Sequence, residues 1–480
     1  MSQSIVVGAG AGGLVAALYL QRAGRDVVLL EAKSRVGGCA SSFPTKGFRF
    51  LSGATTLIGL EPEMPLGRVL RELDITFDAP LATKNLTLHQ AGRSFTLSRD
   101  ASANEAMWRE AFGADFARFW SDSARLGGRG WELITQLHFP PRGVGDLLGA
   151  AGNAAAWKLL PSLLTTTKSK LDASGEVPPL ARALLDEVLL VSTQSSAAHT
   201  PYLFGALGLE YLQRPFVLAT GGLASLVEHL GDVFVKRGGT LKLDTSVSSF
   251  ARAGSGFSVQ TSSGAFEGEQ LVLNLTHWDA QRLASDELKR EFAGTVRRHP
   301  DAWATFTLYL GVQDVFGPDV APYHQVVCEA LPTSGAHSLF VTLGRADDRT
   351  MAPEGFRAVT VSCHTPARAW EGLSDEAHAE KKAKATEELM RELERVFPAL
   401  AGAEKRVVMP GTPRTWEGFT GRQGGRVGGL PFDFATLRRG FPTGRTSVPG
   451  LVRVGDTVFP GQSVPACAWG ARRVVAELLT

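Results

Sequence analysis

The chain opens on an apolar run, Ser4-Ile5-Val6-Val7, with the length of a buried strand, and Gly8-Ala-Gly10-Ala-Gly-Gly13 follows it directly. Leu14, Leu18 and Leu20 then recur among small alanines in a helix-like pattern until Gly24, and Val27-Val28-Leu29-Leu30 is a second apolar run closed by Glu31. Strand, helix and strand in that order predict a βαβ unit. The far end repeats the alternation: Leu451-Val-Arg-Val454 predicts a strand, and a helix is expected from about Ala466 to Leu479, with Ser463 and Pro465 as start residues. Between the ends, Ala302–Leu310 and Phe356–Cys363 run apolar or alternate like strands of a second sheet. The stretch 375–397, with Lys381, Lys382, Glu387 and Glu388, predicts a solvated helix, and the tryptophans Trp108, Trp120 and Trp131 are expected in the core. The fold class that follows is α/β with an α+β second domain, built on a Rossmann-type nucleotide domain.

The glycine spacing carries the first chemistry. Gly8 allows a tight turn, Gly10 lets the backbone approach a pyrophosphate, and Gly13 lets helix and strand pack closely, with Ala11 and Gly12 completing the loop. The helix start offers free N–H groups and a positive dipole end to phosphates. Glu31, with Ala32 beside it, can accept hydrogen bonds from ribose hydroxyls, which argues against a 2′-phosphate. Arg35-Val-Gly37-Gly38 suits the close approach of a longer cofactor, which favours FAD over NAD. Gly455-Asp456, then Gln462, Ser463 and Val464 at the start of the final helix, would place a helix N-terminus where a reduced flavin gathers negative charge.

Composition narrows the class. The 480 residues are 44% hydrophobic and 20% charged, which are globular values, and the net charge of +2 comes with no gathered basic patch, so no nucleic-acid partner is expected. Cys39, Cys328, Cys363 and Cys467 stand apart without a CxxC spacing, so neither a metal site nor a disulfide framework is indicated and a reducing compartment is expected. No signal peptide is expected ahead of the first strand, and no uncharged apolar stretch reaches the roughly 18 residues of a spanning helix. The expected location is cytoplasmic with peripheral membrane contact: residues 144–171 mix Leu147, Leu148, Trp157, Leu159, Leu160, Leu163 and Leu164 with Lys158, Lys168 and Lys170, which suits either a core or a membrane interface.

These residues resemble the phytoene desaturase and carotenoid isomerase family of flavoenzymes, within the wider amine-oxidase-like flavoprotein group. The stretch from Ile5 to Gly38 resembles that group generally, while Gly455-Asp-Thr-Val-Phe-Pro-Gly-Gln-Ser-Val-Pro465 resembles the carotenoid isomerase branch. Gly411-Thr-Pro-Arg-Thr415, Gly421-Arg422…Gly428-Gly429, and Gly221-Gly222 followed by a helix, Gly238-Gly239 and a strand ending at Val247 also resemble that branch. The resemblance implies that the backbone of Val247 meets the adenine portion of FAD. Residues 76–210 match no motif. One segment departs from the family: Phe48-Arg-Phe50-Leu51-Ser-Gly53-Ala54 has leucine and alanine where the family often has an acid and a proline.

The resemblance implies a discontinuous arrangement, with an FAD-binding domain of 1–75, 215–290 and 440–480 and a substrate domain of 76–214 and 291–439. It implies an apolar polyene substrate, isomerised or desaturated, with a quinone or oxygen acceptor in the second case. An amine or small-molecule oxidase on the same scaffold is the other enzyme reading. A lipid-binding escort protein is the non-enzyme reading, against which the intact glycines, Glu31 and Gly455-Asp456 argue. Catalytic side chains are not legible beyond two candidates: His364, which shares a strand face with Thr360 and Ser362, and Trp469, early in the final helix.

Overall fold

The structure is a computed structural model and describes residues 3–136 and 152–480. The first apolar run, Gln3–Val7, lies at the centre of a five-stranded sheet, in the order Leu451–Arg453, Gln270–Leu273, Gln3–Val7, Asp26–Leu30, Thr240–Lys242. Each neighbouring pair is parallel. Parallel strands are covered on both faces, which is why these runs are continuously apolar. One face packs against the helices Ala11–Arg22, Leu223–Lys236 and Val464–Leu478 through Leu14, Leu18, Leu226, Leu230, Ala468 and Val475. The other packs against Phe250, Phe257 and Phe292.

The second sheet has seven strands, in the order Lys405–Gly411, Trp303–Gln313, Phe356–Pro366, Ser338–Leu343, Tyr323–Val327, Lys84–Gln90, Arg93–Ser98. All pairs are antiparallel except Tyr323–Val327 with Lys84–Gln90. Helix Asp375–Val396 turns Ala385, Leu389 and Leu393 into the core beneath this sheet and leaves its charges in solvent, as its pattern predicts. Helices between residues 101 and 211 form a further layer around Trp108 and Trp120, both fully buried.

Several expectations change. Val247 begins the strand Val247–Ala253 of a separate three-stranded sheet, because the strand after Gly238-Gly239 lasts only from Thr240 to Lys242 and the chain turns at Asp244 with φ of 50°. The final helix starts at Val464, two residues early, because Ser463 caps it: its Oγ accepts the N–H of Ala466 at 3.3 Å. Leu51, which stands where the family often carries an acid, is buried with Phe48, Phe50 and Phe356, so that position is core in this chain. Of the segment 144–171, residues 144–151 lie outside the described residues. Its remainder forms the short helices Ala154–Leu163 and Thr167–Asp172, and no helix among the described residues is long and apolar enough to cross a membrane.

Candidate functional site

The parallel strands end together at one cavity of about 620 Å³, which runs from Gly8 and Glu31 to the face of the seven-stranded sheet. Ligands gather at the carboxyl ends of such strands. Gly8 leaves the first strand with φ of 92°, a conformation that favours glycine, and a Cβ on Gly13 would lie 1.9 Å from the Gly8 carbonyl oxygen. The second glycine pair is pinned to this loop, since Gly37 donates its N–H to the Ala9 carbonyl at 2.7 Å. Arg35 donates from Nη1 to the Ser42 carbonyl at 2.6 Å. Glu31 is buried, and its carboxylate accepts the N–H of Ala9 at 2.8 Å and of Lys33 at 3.0 Å. Burial pushes its carboxyl above the usual carboxylate range, and these two bonds oppose that shift.

Asn274, which no sequence motif marks, sits at the hub of this cradle. It follows the strand Gln270–Leu273, and its Nδ2 donates to the Gly8 carbonyl at 3.1 Å. Side-chain carbons added at Gly10, Gly12 or Gly455 would come within 2.8 to 2.9 Å of its amide. A polar residue at a strand's carboxyl end was the available signal. Opposite it, Asp456 holds Arg422 in a two-point pair, with Nη1–Oδ2 at 2.6 Å and Nη2–Oδ1 at 3.2 Å. Burial opposes the charge on the Arg422 guanidinium, but Asp456 more than compensates and raises it above the ordinary arginine value.

The far wall divides into two surfaces. Trp131, Ile134, Phe204, Leu207 and Tyr211 give an apolar side from the helical layer, with the Trp131 and Tyr211 rings 5.3 Å apart. Trp131 therefore lines the cavity, unlike its buried companions Trp108 and Trp120, which keep to the core. The sheet face is mostly polar, carrying Thr305, Thr307, Ser338, Ser362 and His364 around the ring of Phe340. Burial holds the His364 imidazole down at about 4, so it is neutral near pH 7.

All the cofactor-binding and catalytic candidates named from the sequence line this cavity except Gly13, which packs on the loop, and Trp469. Trp469 is buried in the core of the parallel-sheet layer with the Arg472 guanidinium 4.8 Å above its ring, so it has no contact with the reacting space. Gln194, absent from the sequence reading, touches His364. The residues present suit FAD: the bare backbone at Gly8, Gly10 and Gly12 leaves room for phosphates at a helix start, and Glu31, directly after the second strand, lines the same cavity as an acceptor for a ribose. No cluster that could hold a metal ion occurs among the described residues.

A family profile described as flavin containing amine oxidoreductase matches residues 11–479. The chain is 26% identical over 514 residues to prolycopene isomerase 1, chloroplastic, of an Oncidium hybrid cultivar, covering 99% of this chain and 84% of that protein. It is 25% identical over 362 residues to a carotenoid 3,4-desaturase of Haloarcula japonica, covering 68% of this chain and 66% of that protein. Among solved structures, an oxidoreductase from Methanosarcina mazei superposes with a TM-score of 0.66 at 16% identity, covering 99% of this chain and 100% of that one.

Proposed function

The chain belongs to the family of flavin-containing amine oxidoreductases and is an FAD-dependent enzyme, and from that premise we propose that it isomerises cis double bonds in a carotenoid-like polyene. The observation that carries this reading is the end-to-end similarity to a prolycopene isomerase, over 99% of the chain. The apolar side of the cavity, from Trp131 to Tyr211, supports it by offering a polyene a surface of rings and leucine. The desaturase similarity favours a second reading on the same scaffold, in which a quinone or oxygen takes the electrons.

In this reading the loop Gly8–Gly13 would hold the pyrophosphate, Glu31 the ribose and Val247 the adenine side, while Gly455-Asp456 and the start of the final helix would hold the flavin side. The bound flavin supplies the electron-transfer chemistry. The protein residues orient the polyene and keep water away. The division into 1–75, 215–290 and 440–480 around 76–214 and 291–439 follows from the same reading. We further infer that the polyene arrives from a membrane surface at helix Ala154–Leu163 and the residue after it, where Trp157, Leu160 and Leu164 are exposed.

Anaerobic incubation with a cis-polyene separates the two chemistries. Conversion to the all-trans form at unchanged mass, only when the flavin has been reduced with dithionite, is expected. A product lighter by two hydrogens, formed only with oxidised flavin and added quinone, would establish the desaturase in its place.

A further inference from the structure

Beside the sheet face of the cavity an amide chain fixes the proton of His364. Gln462 Nε2 donates to the carbonyls of Val191 at 3.2 Å and Ser192 at 2.7 Å, so its Oε1 is the atom that faces Gln194 and accepts from Nε2 there at 2.8 Å. The Gln194 amide must therefore present its NH₂ group on this side, since the flipped amide would set two carbonyl oxygens together. Of the two hydrogens on Gln194 Nε2, one goes to Gln462 and the other to His364 Nε2 at 3.1 Å, nearer than the Leu190 carbonyl at 3.4 Å. An amide nitrogen does not accept, so His364 Nε2 is the acceptor and the imidazole proton sits on Nδ1. His364 Nδ1 has no hydrogen-bond partner among the described residues. A neutral imidazole with its lone pair already engaged is a donor and not a base.

This donor has polar company. Strand pairing sets Thr305 opposite His364 and Thr307 opposite Ser362, with Phe340 on the other side of Ser362. Continuing that register brings Ser338 opposite His364, and all of these line the cavity. Ser338 donates to Glu187 Oε2 at 2.7 Å. Thr305 donates to the Cys363 carbonyl at 3.1 Å and Thr307 to the Gly411 carbonyl at 3.4 Å, so the donors left without a protein partner among the described residues are the Nδ1–H of His364 and the Ser362 hydroxyl. A pure hydrocarbon laid here would strip water from both and return no hydrogen bond. We propose that the substrate carries an oxygen acceptor, a carbonyl or hydroxyl, on its polyene chain, that the Nδ1–H of His364 donates to it, and that Gln194 is the positioning residue that holds this tautomer.

The inference rests on the polyene reading and is tested on the FAD-loaded protein. Lycopene and lycopenal, the same chain bearing a terminal aldehyde, are titrated anaerobically from detergent micelles while the flavin absorbance is followed. Lycopenal is expected to bind about tenfold more tightly, the worth of one hydrogen bond. His364→Phe abolishes the difference and Gln194→Leu reduces it, with flavin content measured to show that each variant is folded. Nitrogen NMR of His364 shows the proton on Nδ1 between about pH 5 and 9, and Gln194→Glu, which replaces the donor with an acceptor, moves it to Nε2. Equal binding of the two probes, or a proton on Nε2 in the parent protein, overturns the inference while leaving the polyene reading intact. So does a His364→Phe variant that shifts the flavin potential but keeps the aldehyde preference, since the donor would then serve the flavin. If neither probe binds, the polyene reading falls and this inference with it.

Discussion

Asn274 shows how one amide can organise a cofactor cradle. Its Nδ2 bonds the Gly8 carbonyl, and it leaves no space for a side chain at Gly10. Gly10→Val is therefore expected to abolish FAD retention, and Arg35→Ala to weaken it, both read as the flavin-to-protein absorbance ratio after purification. Full occupancy in the valine variant would move the cofactor elsewhere. Asn274→Leu should lower retention through the same loop. The Asp456–Arg422 pair makes a separate demand, because Arg422 is only 22% exposed and Asp456 15%. Asp456→Asn strands the guanidinium and is expected to cost about 1–3 kcal/mol of stability, measured by denaturant unfolding. A double variant that also removes Arg422 should recover part of that cost, and no recovery would show that the two residues act independently.

At the scale of elements, helix Ala154–Leu163 and the Leu164 that follows it separate two roles that these leucines share in sequence. Leu159 is 5% exposed and packs with Phe204 and Leu207, whereas Trp157, Leu160 and Leu164 are 56%, 41% and 73% exposed. Serine at Trp157, Leu160 and Leu164 together should release the protein from co-sedimenting liposomes with little change in Tm, while Leu159→Ala should cost about 2–5 kcal/mol by leaving a cavity. Liposome binding that survives the triple change would exclude this helix as the contact. Elements also differ in how plainly they were written. The first βαβ unit was legible because each backbone demand, a turn at Gly8 and close packing at Gly13, restricts residue type at fixed spacing. The short strand Thr240–Lys242 and the turn at Asp244 were not, since three residues carry too little periodicity.

Across the whole molecule, histidines set an acid limit. Burial holds His89 and His364 at about 4, and His277 and His324 at about 3, below their ordinary value of 6.5. The unfolded chain binds protons at these sites from pH 6.5 downward while the folded chain does not, so the stability these histidines contribute is complete above that pH and is lost as pH falls from 6.5 towards 3. Thermal melts across that window should show Tm falling with acidity, and His324→Gln should flatten the fall. His89 Nε2 lies 2.9 Å from His324 Nδ1, and an unchanged slope would mean that this pair titrates normally. The same long-range construction limited what could be read of the site. His364 was legible as a polar residue on a strand face, but Gln194 and Gln462, which decide its proton, lie 268 positions apart and meet only through packing. Arg422 stood in a recognised segment, yet its partner Asp456 comes from another part of the chain.

The edge position of Leu451–Arg453 in the parallel sheet, with Gly455 folded back against Gly12, also bears on synthesis. Until those residues leave the ribosome, a nascent chain has its dinucleotide loop but neither the last strand beside Gln270–Leu273 nor the helix that completes the cleft. FAD capture then waits for the strand Leu451–Arg453 and the helix start at Val464 to emerge. A stalled chain ending before residue 451 should bind a holdase chaperone and no flavin.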